Sequence, residues 1–178
     1  MKPRSRVVDE LLVLEAQAGR VEAFERLAAL WHPRLLGYAF HLTGDREGAR
    51  EAVQDAWMSV VRGLSRLRDP AGFPGWALSI ARRRCADWVR RRQRSRRGAE
   101  GLNDAARLAS PTTSSEEQTE RLREAIRGLD PESRFLVEMY YRESLSVGEI
   151  ARVLGIPAGT VKSRLYHVRE RLRTILEV

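Results

Sequence analysis

Apolar residues recur at spacings of three and four along almost the whole chain, and no stretch alternates β-branched with polar side chains. That period gathers apolar groups on one face of a helix and leaves no half-buried strands to build a sheet. It confines the chain to an all-α fold. Start and stop signals then cut the pattern into pieces. Residues 8–18 and 21–41 read as two amphipathic helices, with the break at Gly19. In "TGDREGAREAVQDAWMSVVRGL" Asp45 is the N-cap, and Ala49, Val53, Trp57, Val60 and Leu64 form the inward stripe, with Trp57 assigned to the core. "RLRDPAGFPGW" is a loop rich in Gly and Pro, in which Asp69-Pro70 starts one short turn. "WALSIARRRCADWVRRR" is the next helix, with Ala77, Ala81, Cys85 and Trp88 on its inner face.

Composition changes at about residue 96. "RRGAEGLNDAARLASPTTSSEE" is small, polar and poor in aromatics, as linkers are. Ser114 with Glu117 has capping-box spacing, so a helix is expected over roughly 116–128. Asp130-Pro131 caps another helix, running through "ESRFLVEMYYRE", and Ser146 with Glu149 opens the short "SVGEIARVL". The expected organisation is two small helical domains joined by a flexible linker: 1–95, a linker over 96–117, and a four-helix domain over 118–178.

The last of these helices carries the clearest functional signal. "GIPAGTVKSRLYHVRERLR" begins with turn residues and continues with Val161, Leu165, Val168 and Leu172 on one face. Ahead of it lie Ile150, Ala151 and Leu154, then Gly155 and the anchors Ile156 and Val161. This is the spacing of a helix-turn-helix: a small residue lets the helices cross closely, and glycine takes the left-handed turn. The second helix of such a unit offers its N-terminal residues to base edges in the major groove. Small Ala158 and Gly159 allow close approach to phosphates, while Thr160, Lys162 and Ser163 point outward.

Charge agrees with a polyanionic partner. The formal net charge is +8, and of 32 basic residues only Lys2 and Lys162 are lysines. Nine arginines crowd 82–97 against Asp87 alone, a block that repels itself on a helix and calls for an anion. Other classes fall away. Cys85 is the single cysteine, and His32, His41 and Cys85 lie on different elements without ligand spacing, so no metal, cofactor or catalytic activity is expected. No apolar run approaches the roughly 18 residues of a membrane span, and the N-terminus lacks a signal-peptide core, so a cytoplasmic protein is expected.

The segment "LDPESRFLVEMYYRESLSVGEIARVLGIPAGTVKSRLYHVRERLR" resembles the fourth conserved region of bacterial sigma-70 factors, within the small two-domain extracytoplasmic-function (ECF) group. "AFERLAALWHPRLLGYAFHLTGDREGAREAVQDAWMSVVRGLSRLRDPAGFPGWALSIARRRCADWVRRR" resembles the second conserved region of the same group. The resemblance implies a factor that binds core RNA polymerase, recognises the promoter −10 and −35 elements and directs initiation. Partners would be the β′ clamp helices and β subunit of the polymerase, promoter DNA, and an anti-sigma protein, often membrane-bound in this group. Glu51, Gln54 and Asp55 would dock on the clamp helices. Arg82, Arg83, Asp87 and Arg90 would meet the −10 element, its bases captured with help from loop 69–75, while Phe73 and Trp76 belong to the core. Lys162, Ser163, Tyr166 and His167 would read the −35 element, with Thr160, Arg164 and Arg169 on phosphates. Relatives commonly carry Asn at Arg83 and Arg at His167. The alternative is an autonomous LuxR-like helix-turn-helix regulator, which would need a receiver or ligand-binding domain in residues 1–95.

Linker length bears on the same expectation. Residues 98–117, extended, reach roughly 66–72 Å, and coiled they average about 22–27 Å. Promoter elements about two helical turns apart lie roughly 70 Å from each other, so the free chain spans them only when pulled taut.

Overall fold

Thirteen glycines and seven prolines in 178 residues leave long stretches free to be helical, and the computed structural model uses them that way. It describes residues 4–96, 122 and 124–176, and among these it contains helices and turns but no strand. The chain divides into two compact units, Met1–Ala106 and Arg107–Val178. The expected linker and its Ser114–Glu117 capping box lie outside the described residues, except Arg96, which ends a helix. None of the described helices is long and apolar enough to cross a membrane.

The first unit is built from α1 (Arg4–Gln17), α2 (Val21–Thr43), α3 (Arg46–Gly63) and α4 (Phe73–Arg96). α1 begins four residues before the expected start, and α2 ends at Gly44, whose φ of 64° lets its amide reach the Phe40 carbonyl. Asp45 caps α3 as expected, accepting from the Gly48 amide at 2.8 Å. Two 3₁₀ turns, Leu64–Arg66 and Pro70–Gly72, join α3 to α4, and Asp69 caps the second through the Ala71 amide at 3.1 Å. The core is the meeting of four apolar stripes: Leu12 and Val13 from α1, Leu27, Trp31, Leu35 and Tyr38 from α2, Ala52, Val53, Ala56 and Val60 from α3, and Phe73, Ala77, Ala81 and Cys85 from α4. Trp31 and Phe73 meet edge to face, with centroids 5.5 Å apart. Burial pushes the Cys85 thiol up to about 11, which makes it a poor nucleophile.

Two tryptophans depart from the stripe assignments. Trp57 is only half-buried, because it sits at the α2–α3 edge against Phe24 (5.9 Å) instead of inside the bundle. Trp88 is likewise half-buried, and lies flat over Gly48 of α3. Only glycine leaves room there: a Cβ at position 48 would stand 2.4 Å from the ring. Phe73 is core, as expected, while Trp76 is half-buried against Gly63.

In the second unit a short helical stretch at 124–127 precedes α5 (Pro131–Val137), α6 (Val147–Leu154) and α7 (Ala158–Leu176). Asp130 caps α5 through the Ser133 amide at 2.9 Å, with proline at the first turn. α5 does not continue as an α-helix through "EMYYR". It widens into a π turn, Glu138–Arg142, closed by the Glu143 amide on the Glu138 carbonyl at 3.0 Å. The Ser146–Glu149 capping box is complete, with the Glu149 carboxylate accepting from the Ser146 amide at 2.7 Å. The core here contains Leu136, Met139, Leu145, Ile150, Val153, Val161 and Leu165, joined by Leu129, Val137 and Val168, with Leu172 packed against them.

Candidate nucleic-acid interface

α6 and α7 meet at Gly155, whose φ of 65° makes the sharp turn; the Gly155 and Ile156 amides both bond the Ala151 carbonyl, at 2.8 and 3.2 Å. With Val161, Leu165 and Val168 buried, the helical period turns Lys162, Ser163, Tyr166 and His167 outward, and all four are exposed. Lys162 supplies a mobile cation, Ser163 a hydroxyl that now donates to the Thr160 carbonyl at 3.2 Å, and Tyr166 a ring packed edge-on against His167 at 5.6 Å. Donors and acceptors at the N-terminal half of an exposed helix are what a base edge in the major groove requires. Thr160 is half-buried in the first turn of the same helix.

Two expected phosphate contacts are already engaged. Arg164 forms an ion pair with Glu132 of α5. Arg169 donates to the Tyr141 hydroxyl at 2.7 Å and lies over the rings of Tyr140 and Tyr141, at 5.4 and 5.8 Å. The Tyr141 hydroxyl raises the Arg169 pKa further, so its charge is permanent. Tyr140 and Tyr141 were not singled out from sequence; the signal available was two adjacent tyrosines, which only the π turn brings against α7 together.

In the first unit the basic helix is partly balanced from within. Glu51 of α3 accepts from Trp88 Nε1 and from Arg91, both at 2.9 Å, and Asp55 lies 3.7 Å from the same Arg91. Arg92 pairs with Asp45, stacks over Trp88 at 4.8 Å, and helps the Gly48 amide hold the Asp45 carboxyl below its ordinary value. Asp87 accepts from Arg90 and lies 3.7 Å from Arg84, and its carboxyl is held low chiefly by Arg90. Arg84 also donates to Ser59 at 2.9 Å. The arginine block is therefore not the uncompensated run that its sequence implies, because acids from α3 and the Asp45 cap reach across to it. Arg82, Arg83 and Arg94 are exposed and have no acid partner among the described residues.

The structure thus brings Glu51 and Asp55 together with the basic helix rather than leaving them on a separate face. Gln54 is exposed beside a shallow groove of about 510 Å³ lined by His32, Arg50, Trp57, Met58 and Val61. Met58 and Val61 are more than half exposed, so an apolar edge flanks the polar docking candidates.

Comparison with known proteins accounts for both units. Residues 27–95 match the sigma-70 region 2 family and residues 119–172 match sigma-70 region 4. The chain is 31% identical over 168 residues to the ECF RNA polymerase sigma factor SigM of Mycobacterium tuberculosis, covering 94% of this chain and 84% of SigM. It is 27% identical to a probable RNA polymerase sigma factor, RfaY, of Xanthomonas campestris, where 90% of this chain spans only 42% of the relative. Among solved structures, the fold is similar to the sigma factor RpoE in complex with the anti-sigma factor NepR from Bartonella quintana (TM-score 0.63, 23% identity, 89% of this chain and 99% of that one). It is also similar to CnrH in complex with the cytosolic domain of CnrY (TM-score 0.57, 22% identity, 96% and 97%). Two conserved regions in order, with a relative matched over most of both lengths, place the chain in a family: it belongs to the sigma-70 family of RNA polymerase sigma factors, in the extracytoplasmic-function group.

Proposed function

We propose that this sigma factor directs transcription through a division of labour between its units. The first docks on the β′ clamp helices of core polymerase and captures the melted −10 strand; the second reads the −35 duplex and meets the β subunit. The observation that carries the reading is the solvent-facing row Lys162, Ser163, Tyr166 and His167, set on the helix that follows a left-handed Gly155 turn. Lys162 and Ser163 supply base readout, with Thr160, Arg164 and Arg169 at the phosphates. Engagement of Arg164 and Arg169 within the domain supports a positioning role for both: their donors reach phosphate while the rest of each guanidinium stays anchored. On α4, Arg82 and Arg83 are the free cations for the unpaired strand, with Arg90 and Asp87 holding one another in place. Docking falls to Gln54, Glu51 and Asp55 together with the apolar edge at Trp57, Met58 and Val61.

The protein works in the cytoplasm on this reading, with no catalytic chemistry of its own, and an anti-sigma protein is its natural antagonist. An autonomous helix-turn-helix regulator would carry a receiver or ligand-binding domain where residues 27–95 instead match sigma-70 region 2. The test is transcription from a promoter selected from a randomised template pool, using purified core polymerase with and without this chain. Promoter-specific product only in its presence is expected; tight, nanomolar binding of promoter duplex by the free chain at physiological salt would refute the mechanism.

A further inference from the structure

α1 lies outside the sigma-70 region 2 match, which begins at residue 27, yet its polar contacts reach 47 to 65 positions along the chain. The Gln17 side-chain amide donates to the Leu64 carbonyl and to the Leu67 carbonyl, each at 2.8 Å. At the other end of α1, Arg6 reaches the Ala71 carbonyl at 3.5 Å. These three carbonyls belong to the loop between α3 and α4. One side-chain amide, with two hydrogens in a fixed plane, thus closes on two backbone acceptors three residues apart and constrains the turn between them.

The consequence shows in the loop itself. Its carbonyls at 64, 67 and 71 turn towards α1, and Leu64 is buried, while Ser65, Arg66, Arg68 and Asp69 are exposed. Directly after it α4 begins, with buried Phe73 fixing the loop's far end. The loop is a ledge tied to α1 at three carbonyls, with two exposed arginines ahead of the basic helix.

We propose that α1 is a brace for this ledge and that Gln17 is a positioning residue for capture of the melted promoter strand. The inference rests on the reading that the loop and α4 receive the −10 strand. Without the two hydrogen bonds the loop samples other shapes, and apparent affinity for the strand falls by the fraction of time the binding shape is lost. Breaking two part-buried hydrogen bonds lowers that fraction about tenfold.

The experiment uses the full chain reconstituted with core polymerase and a fluorescent single-stranded DNA pool randomised over a dozen positions. Gln17→Met keeps side-chain length and removes both donors; Gln17→Lys returns donors on a similar stem; the double variant Arg82→Ala, Arg83→Ala tests the −10 assignment itself. Gln17→Met is expected to weaken strand capture about tenfold and to speed hydrogen exchange of amides in the 64–72 loop. Core-polymerase affinity should stay within about twofold, as for a substitution away from the docking face, and Gln17→Lys should recover most of the capture. Unchanged capture by Gln17→Met, alongside a loss in the double arginine variant, would overturn the brace and leave the −10 assignment standing. Unchanged capture in the double arginine variant would overturn the assignment and the brace with it. A Gln17→Met protein that lost core binding as steeply as strand capture would have a folding defect, and the positioning role would be wrong.

Discussion

Gly48→Ala is the substitution for which the structure fixes both sign and size. Alanine ordinarily stabilises a helix over glycine by about 0.5–1 kcal/mol, and a first-turn position takes the lower end of that range. Here the added Cβ would stand 2.4 Å from Trp88 Cζ2 and 2.6 Å from two further ring atoms. The indole has to move by about an ångström, away from its 2.9 Å bond to Glu51 and from under Arg92. Overpacking of this kind costs about 1–3 kcal/mol, and the closeness of the contact puts it at the upper end. The net loss is roughly 2 kcal/mol, or a fall in Tm of roughly 8–16 °C for a unit of this size. Trp31, Trp57, Trp76 and Trp88 all belong to the first unit, so tryptophan fluorescence during heating reports its unfolding. The decisive arm is a double-mutant cycle. In a Trp88→Ala background the obstacle is gone, and Gly48→Ala should stabilise by about 0.5 kcal/mol. An equal loss in both backgrounds would show that the ring does not set the cost.

Other outcomes follow from the same contacts. Lys162→Ala and Ser163→Ala should each alter the preferred −35 sequence at a cost of about 1–3 kcal/mol at a matched site, measured by duplex binding of the holoenzyme; an unchanged rank order of promoter variants would remove them from the reading face. Arg169→Ala should weaken all sites alike and reduce the salt slope by about one, whereas Tyr141→Phe, which keeps the ring, should do so by less. Gln54→Lys should abolish co-purification with core polymerase while stability changes by no more than about 0.5 kcal/mol, since the residue is exposed. Asp9 is buried, and accepts from Trp31 at 3.1 Å. Burial raises its pKa above the usual carboxylate value, so its contribution favours folding at acid pH and is lost as pH rises through the folded value. Asp9→Asn should therefore raise Tm more at pH 7 than at pH 4.

Cap chemistry made the helix boundaries legible. Asp45, Asp69, Asp130 and Ser146 each cap what their sequence position implies, because a cap is a local event within three residues. The outward face of α7 was legible for the same reason: Val161, Leu165 and Val168 fix the rotation of the helix. Contacts between elements were not legible. Spacing gives the face on which Glu51 and Arg91 lie but not that they meet across 40 positions, so the arginine run looked more exposed than it is. Trp57 and Trp88 fit their stripes in projection, yet a wide indole at the border of a stripe stays half outside. The π turn left no mark in the periodicity, since one extra residue in a five-residue stretch shifts the pattern by less than a short window can register.

That extra residue acts as a phase shifter. An α-helix turns about 100° per residue, so the slack held in Glu138–Arg142 rotates everything before it relative to the Ser146 cap that follows. Removing one residue there would allow an unbroken helix of good local geometry while swinging the Tyr140–Tyr141 pair away from Arg169. The better helix would leave α7 without the aromatic pair that now flanks the Arg169 guanidinium.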